Sequence, residues 1–132
     1  MRLITRESDY GIAALVSLAR RKGRGASASE LAKGLRIPGA FLRRILQKLG
    51  RHGIVVSKKG IGGGFELAMD SRKILVADVV SALQGPIRIS DCDVRKAICV
   101  GRNRCILRDK LKEIESRLIE ELMSISISSL AG

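Results

Sequence analysis

A chain of 132 residues suits one compact domain, or one domain with a helical appendage, and 45% hydrophobic with 29% charged residues excludes a disordered or fibrous protein. Lys and Arg number 25 against 13 Asp and Glu, a net charge of +12; residues 1–60 hold 14 basic and 3 acidic side chains, so a polyanion is expected at the N-terminal half. The aromatic residues are Tyr10, Phe41 and Phe65, too few to fill a core and also stack single-stranded bases, which leaves duplex DNA as the better polyanion.

In chain order, Ile12, Leu15, Val16 and Ala19 follow i, i+3, i+4, i+7 and predict an amphipathic helix over residues 8–21. No apolar run reaches the ~18–20 residues that cross a bilayer. Glu7 and Asp9 before the stretch Tyr10–Ala19, and Arg20, Arg21, Lys22 and Arg24 after it, give the wrong charge order for a secretory signal, so the expected location is the cytoplasm with no membrane partner. Ser27-Ala28-Ser29-Glu30 reads as a capping box that opens a helix burying Ala28, Leu31, Ala32 and Leu35, with Gly34 near its end. Pro38 suits the first turn of a third helix, which buries Leu42, Ile45, Leu46 and Leu49 and is stopped by Gly53.

Ile54–Ser57 and Phe65–Leu67 read as two strands of a β-hairpin around the basic, glycine-rich tip Lys58–Gly64. Ile74–Val76 is expected as a further short strand and Ala77–Gln84 as a helix ended by Gly85-Pro86. Beyond Cys105 a long helix is expected over residues 107–123. Its apolar positions Leu107, Leu111, Ile114, Leu118, Leu122 and Ile125 recur at steps of 4, 3, 4, 4 and 3, a stripe resembling a coiled-coil seam, so a homodimer is expected.

Two short helices across a tight turn and then a basic hairpin make a winged helix-turn-helix. The expected class is mainly α with a small β-hairpin wing, followed by a cysteine loop and a long dimerisation helix. The expected division is 1–85 for DNA binding, 86–106 for a sensor loop, and 107–132 for the dimerisation helix and tail. A helix fits the major groove, where arginine can bond guanine and glutamine adenine through two parallel hydrogen bonds. Arg43, Arg44 and Gln47, opposite the apolar stripe of the third helix, are therefore the base-reading candidates. Lys48 and Arg51 are expected at phosphate, and Lys58 and Lys59 at the adjacent minor groove or its phosphates. His52 reads as a solvated residue at a helix end.

Cys92, Cys99 and Cys105 are spaced C-x6-C-x5-C within fourteen residues. An odd count in a cytosolic chain argues against a disulfide framework. The neighbouring Arg95, Lys96, Arg102 and Arg104 make a cationic setting of the kind that favours thiolate, a soft ligand for iron–sulfur clusters or zinc. The spacing is not that of a zinc knuckle. By spacing alone a metal or cluster site, thiol redox chemistry and a structural role all stay open. An enzyme is disfavoured: C-x-x-C is absent, no Ser/His/Asp constellation stands out, and Gly60–Gly64 lacks the Lys-Ser/Thr that completes a phosphate loop.

Met1-Arg2-Leu3, Asp9-Tyr10-Gly11, Ser29-Glu30-Leu31-Ala32, Phe41-Leu42, Gly53-Ile54-Val55 and Lys59-Gly60-Ile61-Gly62-Gly63-Gly64-Phe65-Glu66-Leu67-Ala68, with the cysteine triplet, resemble the winged-helix iron–sulfur regulators typified by IscR and NsrR, the Rrf-two family. The resemblance covers almost the whole chain. It implies a homodimeric bacterial transcription factor on pseudo-palindromic promoter DNA, a repressor by expectation, with RNA polymerase as an additional candidate partner. It implies a 2Fe–2S or 4Fe–4S cluster on Cys92, Cys99 and Cys105 that senses nitric oxide, redox state or iron–sulfur status. The IscR branch has a histidine three residues after the last cysteine as fourth ligand; Arg108 stands there in this chain. The NsrR branch takes an aspartate near the N-terminus of the other subunit, and Asp9 matches it. Where IscR carries an acid on its recognition helix this chain has Arg43, so a different target sequence is expected. Some members sense through thiols or metabolites without a cluster, and that alternative stays open.

Overall fold

The computed structural model describes residues 2–61, 63–90 and 105–132. Helix α1 spans Arg6–Arg20, two residues earlier than periodicity predicts, because Thr5 is its N-cap and accepts the Ser8 N–H at 3.2 Å. Helix α2, Ala28–Leu35, opens on Ser27 as expected: Ser27 Oγ accepts the Glu30 N–H at 3.0 Å. Gly34 lies near its end as expected, and the cap is Arg36, whose left-handed backbone (φ 57°) lets the Ile37 N–H bond Ala32 O at 3.0 Å while Ile37 is buried. Pro38 then occupies the N-cap of α3, Gly39–Arg51, one position before the first turn.

Strands β1, Val55–Lys58, and β2, Gly64–Leu67, pair antiparallel with Val55 opposite Leu67 and Lys58 opposite Gly64. The hairpin is tied to the helices through Ala26, which exchanges two backbone hydrogen bonds with Phe65 at 2.9 and 2.7 Å. Gly64 makes that approach possible: its φ is +149°, and a Cβ there would lie 2.5 Å from the Ala26 carbonyl oxygen. A single 3₁₀ turn, Ser71–Lys73, follows. Asp70 caps it, and the hydrogen-bonded Arg72 guanidinium holds the Asp70 carboxyl down at about 2.

Ile74–Val76 forms an isolated bridge rather than a strand of a sheet, and its partner is the C-terminal segment. Val76 N–H bonds Ile125 O at 2.9 Å and Ile127 N–H bonds Ile74 O at 2.8 Å. Helix α4 runs Val76–Gln84, α5 Ile106–Met123, and a final short helix α6 Ile127–Ala131. The sequence pattern does not separate α6 from the tail. Ile127 is fully buried in the same core as Leu15, Leu18, Leu42, Ile45 and Leu49 of α1 and α3, so the chain end returns to the winged helix. A second, smaller cluster joins Val76, Val80 and Ile87 to Leu3, Ile4, Leu118, Ile119, Leu122 and Ile125.

The expected seam of α5 is thereby split. Leu118 and Leu122 pack on the chain's own domain, whereas Leu107 and Ile114 are 65% and 52% exposed. Among the described residues no helix is long and apolar enough to cross a membrane.

The joint at Gly64 yields a prediction. Replacing Gly64 with alanine should separate the wing from Ala26 and lower stability by roughly 1–3 kcal/mol, the usual cost of a side chain forced into a disfavoured, crowded backbone position. Thermal denaturation of the variant checks it, and an unchanged midpoint would refute the close approach.

Candidate nucleic-acid interface

The third helix owes its outward cations to its apolar stripe. Leu42, Ile45, Leu46 and Leu49 are fully buried, and the helical period then turns Arg43, Arg44, Gln47 and Arg51 to solvent. All four candidates thus share the exposed side of one element. Arg44 is steadied from beneath: its guanidinium carbon lies 5.6 Å from the centre of the Phe41 ring, and Phe41 meets Tyr10 of α1 edge-on, 5.6 Å between centroids at 84°. The two half-buried rings pack against the core, consistent with the expectation that they are not a base-stacking platform.

Lys48 differs from its neighbours. Its ammonium lies 2.8 Å from Glu7 Oε1 of α1. In the wing, Lys58 reaches Glu66 across the hairpin at 3.1 Å, while Lys59 is exposed and makes no ion pair among the described residues. His52 caps α3 in the open, with Nδ1 3.0 Å from Lys48 O. Between α2 and α3 a groove of about 470 Å³ is lined by Ala28, Ala32 and Ile37 at its apolar floor and by Ser29, Lys33 and Arg43 among its polar residues.

The sensor candidates are placed unevenly. Cys92 and Cys99 lie outside the described residues. Cys105 is the half-buried N-cap of α5, and its Sγ accepts the Arg108 N–H at 3.4 Å. A sulfur at the positive end of a helix dipole suits an anionic donor, so this one ligand position fits a thiolate-held group. Asp9 is exposed in the first turn of α1. Arg108, at the position of the IscR-branch histidine, has its Nε buried with no hydrogen-bond partner among the described residues and lies 3.7 Å from Asp109. No three His, Cys, Asp or Glu side chains among the described residues converge as metal ligands.

Two residues escaped sequence reasoning. Glu7 is one, since its partner lies 41 positions away. Gln84 is the other. Its Oε1 accepts the Thr5 N–H at 3.1 Å and the hydroxyl of fully buried Ser8 at 2.7 Å, and its Nε2 donates to Leu3 O at 2.8 Å. An amide at the end of an otherwise apolar helix, just before Gly85-Pro86, was the available signal.

A buried helix pair, an outward cationic third helix and a basic wing define a winged helix-turn-helix, the architecture of duplex-reading transcriptional regulators. Residues 4–132 match the Rrf2 family, iron-dependent transcriptional regulators, and the chain belongs to that family. It is 30% identical over 123 residues to a candidate HTH-type transcriptional regulator of Aquifex aeolicus, spanning 92% of this chain and 85% of that protein. Against the HTH-type transcriptional regulator IscR of Sodalis glossinidius it is 28% identical over 130 residues, 98% of this chain and 78% of that one. Its fold resembles CymR (YrzC), the global cysteine regulator of B. subtilis, with a TM-score of 0.80 and 24% identity over 99% of this chain and 97% of that one.

The Gln84 bonds fix the segment that carries Asp9, which yields a second prediction. Gln84→Leu should remove the acceptor of the Ser8 hydroxyl and of the Thr5 N–H, leaving Ser8 only Thr5 Oγ1 at 3.3 Å, and cost roughly 1–3 kcal/mol. Hydrogen exchange should accelerate at residues 5–9 ahead of the rest of α1; uniform exchange would refute the latch.

Proposed function

We propose that this protein is a homodimeric repressor that reads promoter DNA with α3 and the wing, and that an iron–sulfur cluster on Cys92, Cys99 and Cys105 controls its grip. The observation that carries the DNA reading is the solvent-facing row Arg43, Arg44, Gln47 and Arg51 on a family-typical recognition helix. Arg43, Arg44 and Gln47 address base edges; Arg51 and Lys59 address phosphate. Lys48 and Lys58, the other two phosphate candidates, already hold Glu7 and Glu66. The winged helix proper, residues 1–85, is the reading unit, 86–106 the sensor, and α5 the dimer element. In support of the last, Ile106, Leu107 and Ile114 form an exposed apolar face that a second copy of α5 would cover.

Support for the cluster comes from family membership, the three cysteines and the helix-end setting of Cys105. When bound, the group would supply a centre sensitive to nitric oxide, oxygen or iron supply. Asp9 is the candidate fourth ligand. The N-terminal segment preceding it packs on the same small cluster as Leu118, which lies thirteen residues and about 20 Å of helix axis beyond Cys105, and this favours an Asp9 donated by the partner copy. Control of DNA affinity then requires that the loaded and empty states differ in how they hold the two reading helices relative to each other.

Anaerobic isolation with iron and sulfide analysis tests the cofactor. Both should be present, and Asp9→Ala should shorten the lifetime of the visible chromophore without changing the thermal midpoint. A reconstituted protein with neither element leaves the second reading, a thiol-redox or metabolite sensor of the same fold. For the reader, Arg43→Ala should cost roughly 1–3 kcal/mol at one operator position and relax preference there. Lys59→Ala should weaken every sequence alike and flatten the salt dependence; sequence-selective loss from Lys59→Ala would refute its phosphate role.

A further inference from the structure

We infer that Glu7 sets the strength of sequence-independent DNA binding: its carboxylate occupies Lys48 and withholds that ammonium from the nucleic-acid backbone. This deepens the reading of α3 as the DNA-facing helix and rests on it. Lys48 is the one cation of α3 with an ion-pair partner among the described residues. Arg43, Arg44 and Arg51 have none. The Lys48 pair is short, 2.8 Å, and its members are 40% and 27% exposed, so it is neither buried nor left to sway in solvent.

Glu7 is held where it is by its neighbours. Ser8 is fully buried and bonded to Gln84. One turn on, Gly11 lies against Ile45 of α3, since a Cβ there would stand 3.5 Å from Ile45 Cγ2. The first turn of α1 also suits a carboxylate, because a helix N-terminus favours negative charge.

A carboxylate oxygen and a phosphate oxygen are rivals for one lysine: both accept a charge-assisted hydrogen bond. A paired lysine is neutral at a distance. It displaces no counterion from DNA and adds nothing to the salt-dependent attraction. Phosphates are the same in every sequence, whereas base contacts are not. Subtracting one phosphate contact therefore lowers affinity for every sequence alike and leaves the discriminating contacts of Arg43, Arg44 and Gln47 in place. Glu7 lowers the salt-dependent grip on DNA without changing the ratio between sequences.

The test uses the full chain and a short random-sequence duplex, with binding followed by fluorescence anisotropy from about 50 to about 200 mM KCl. Glu7→Gln should bind more tightly and steepen the plot of log K against log salt by about 0.9, so its advantage shrinks about threefold across that range. Lys48→Gln alone should not steepen the slope, because it removes the ammonium and bares the Glu7 carboxylate. The double variant Glu7→Gln/Lys48→Gln, in which two neutral amides replace a neutral pair, should return to the native slope. Two results would overturn the inference: a native slope in Glu7→Gln, or a double variant as steep as Glu7→Gln, which would report bulk charge without any need for Lys48. A native chain with no salt-dependent duplex binding would instead overturn the DNA reading itself, and the inference with it.

Discussion

The architecture depends on a close approach at Gly11. Helix α1 passes so near α4 that a Cβ on Gly11 would overlap Leu83 Cδ1, and it lies against Ile45 of α3 on the same side. Packing at interior density leaves no space for even one methyl group without displacement of a neighbour. Because Gly11 is bare, α1 touches the recognition helix and the end of α4 at one level. The consequences lie within a turn or so: Tyr10 supports Phe41 beneath Arg44, Glu7 reaches Lys48, and Ser8 reaches Gln84. The first turns of α1 therefore touch both the cationic helix α3 and the end of α4.

These contacts contribute unequally. Exposed and half-exposed ion pairs such as Lys48–Glu7 and Lys58–Glu66 add at most about 1 kcal/mol each to stability. Their weight lies in the charge they leave showing. Two of the lysines expected at a polyanion are already partnered, while Lys59 and the α3 arginines make no ion pair among the described residues. The Gln84 bonds act the other way. They add little as a sum, but without Gln84 the fully buried Ser8 hydroxyl keeps only Thr5 Oγ1 at 3.3 Å, and part of its desolvation goes uncompensated. A buried hydrogen-bond set of this kind fixes one arrangement and tolerates no half-measures.

Local signals made much of the fold legible. Helices α1 to α3 each carry their apolar period within one segment, the Ser27–Glu30 cap is complete in four residues, and the glycine run marks the wing by its own chemistry. What escaped was non-local. Ile74 read as part of a short strand and Ile125 as the end of the α5 stripe, but nothing local announced that their segments pair about fifty positions apart. The α5 stripe was correctly placed on one face, but periodicity identifies a face and not its cover, and this face is half closed by Val76, Val80 and Ile87 and half open. At the candidate interface the same limit applied: residue type and helical phase placed Arg43, Arg44, Gln47 and Arg51 outward, yet nothing within α3 announces that Lys48 already has a partner.

The described residues on either side of the cysteine-bearing stretch converge on one small cluster. Ile87 belongs to it, and so do Leu118 and Leu122 of α5, with Ile89 N–H bonding Glu115 at 3.0 Å. Leu3 and Ile4 join that cluster too, and Gln84 bonds the segment between them and α1. The apolar part of this junction resists continuous deformation. The polar part, three hydrogen bonds to one amide, fixes the start of α1 against α4. The end of α4 is therefore the place where the N-terminal segment and the later half of α5 are held together.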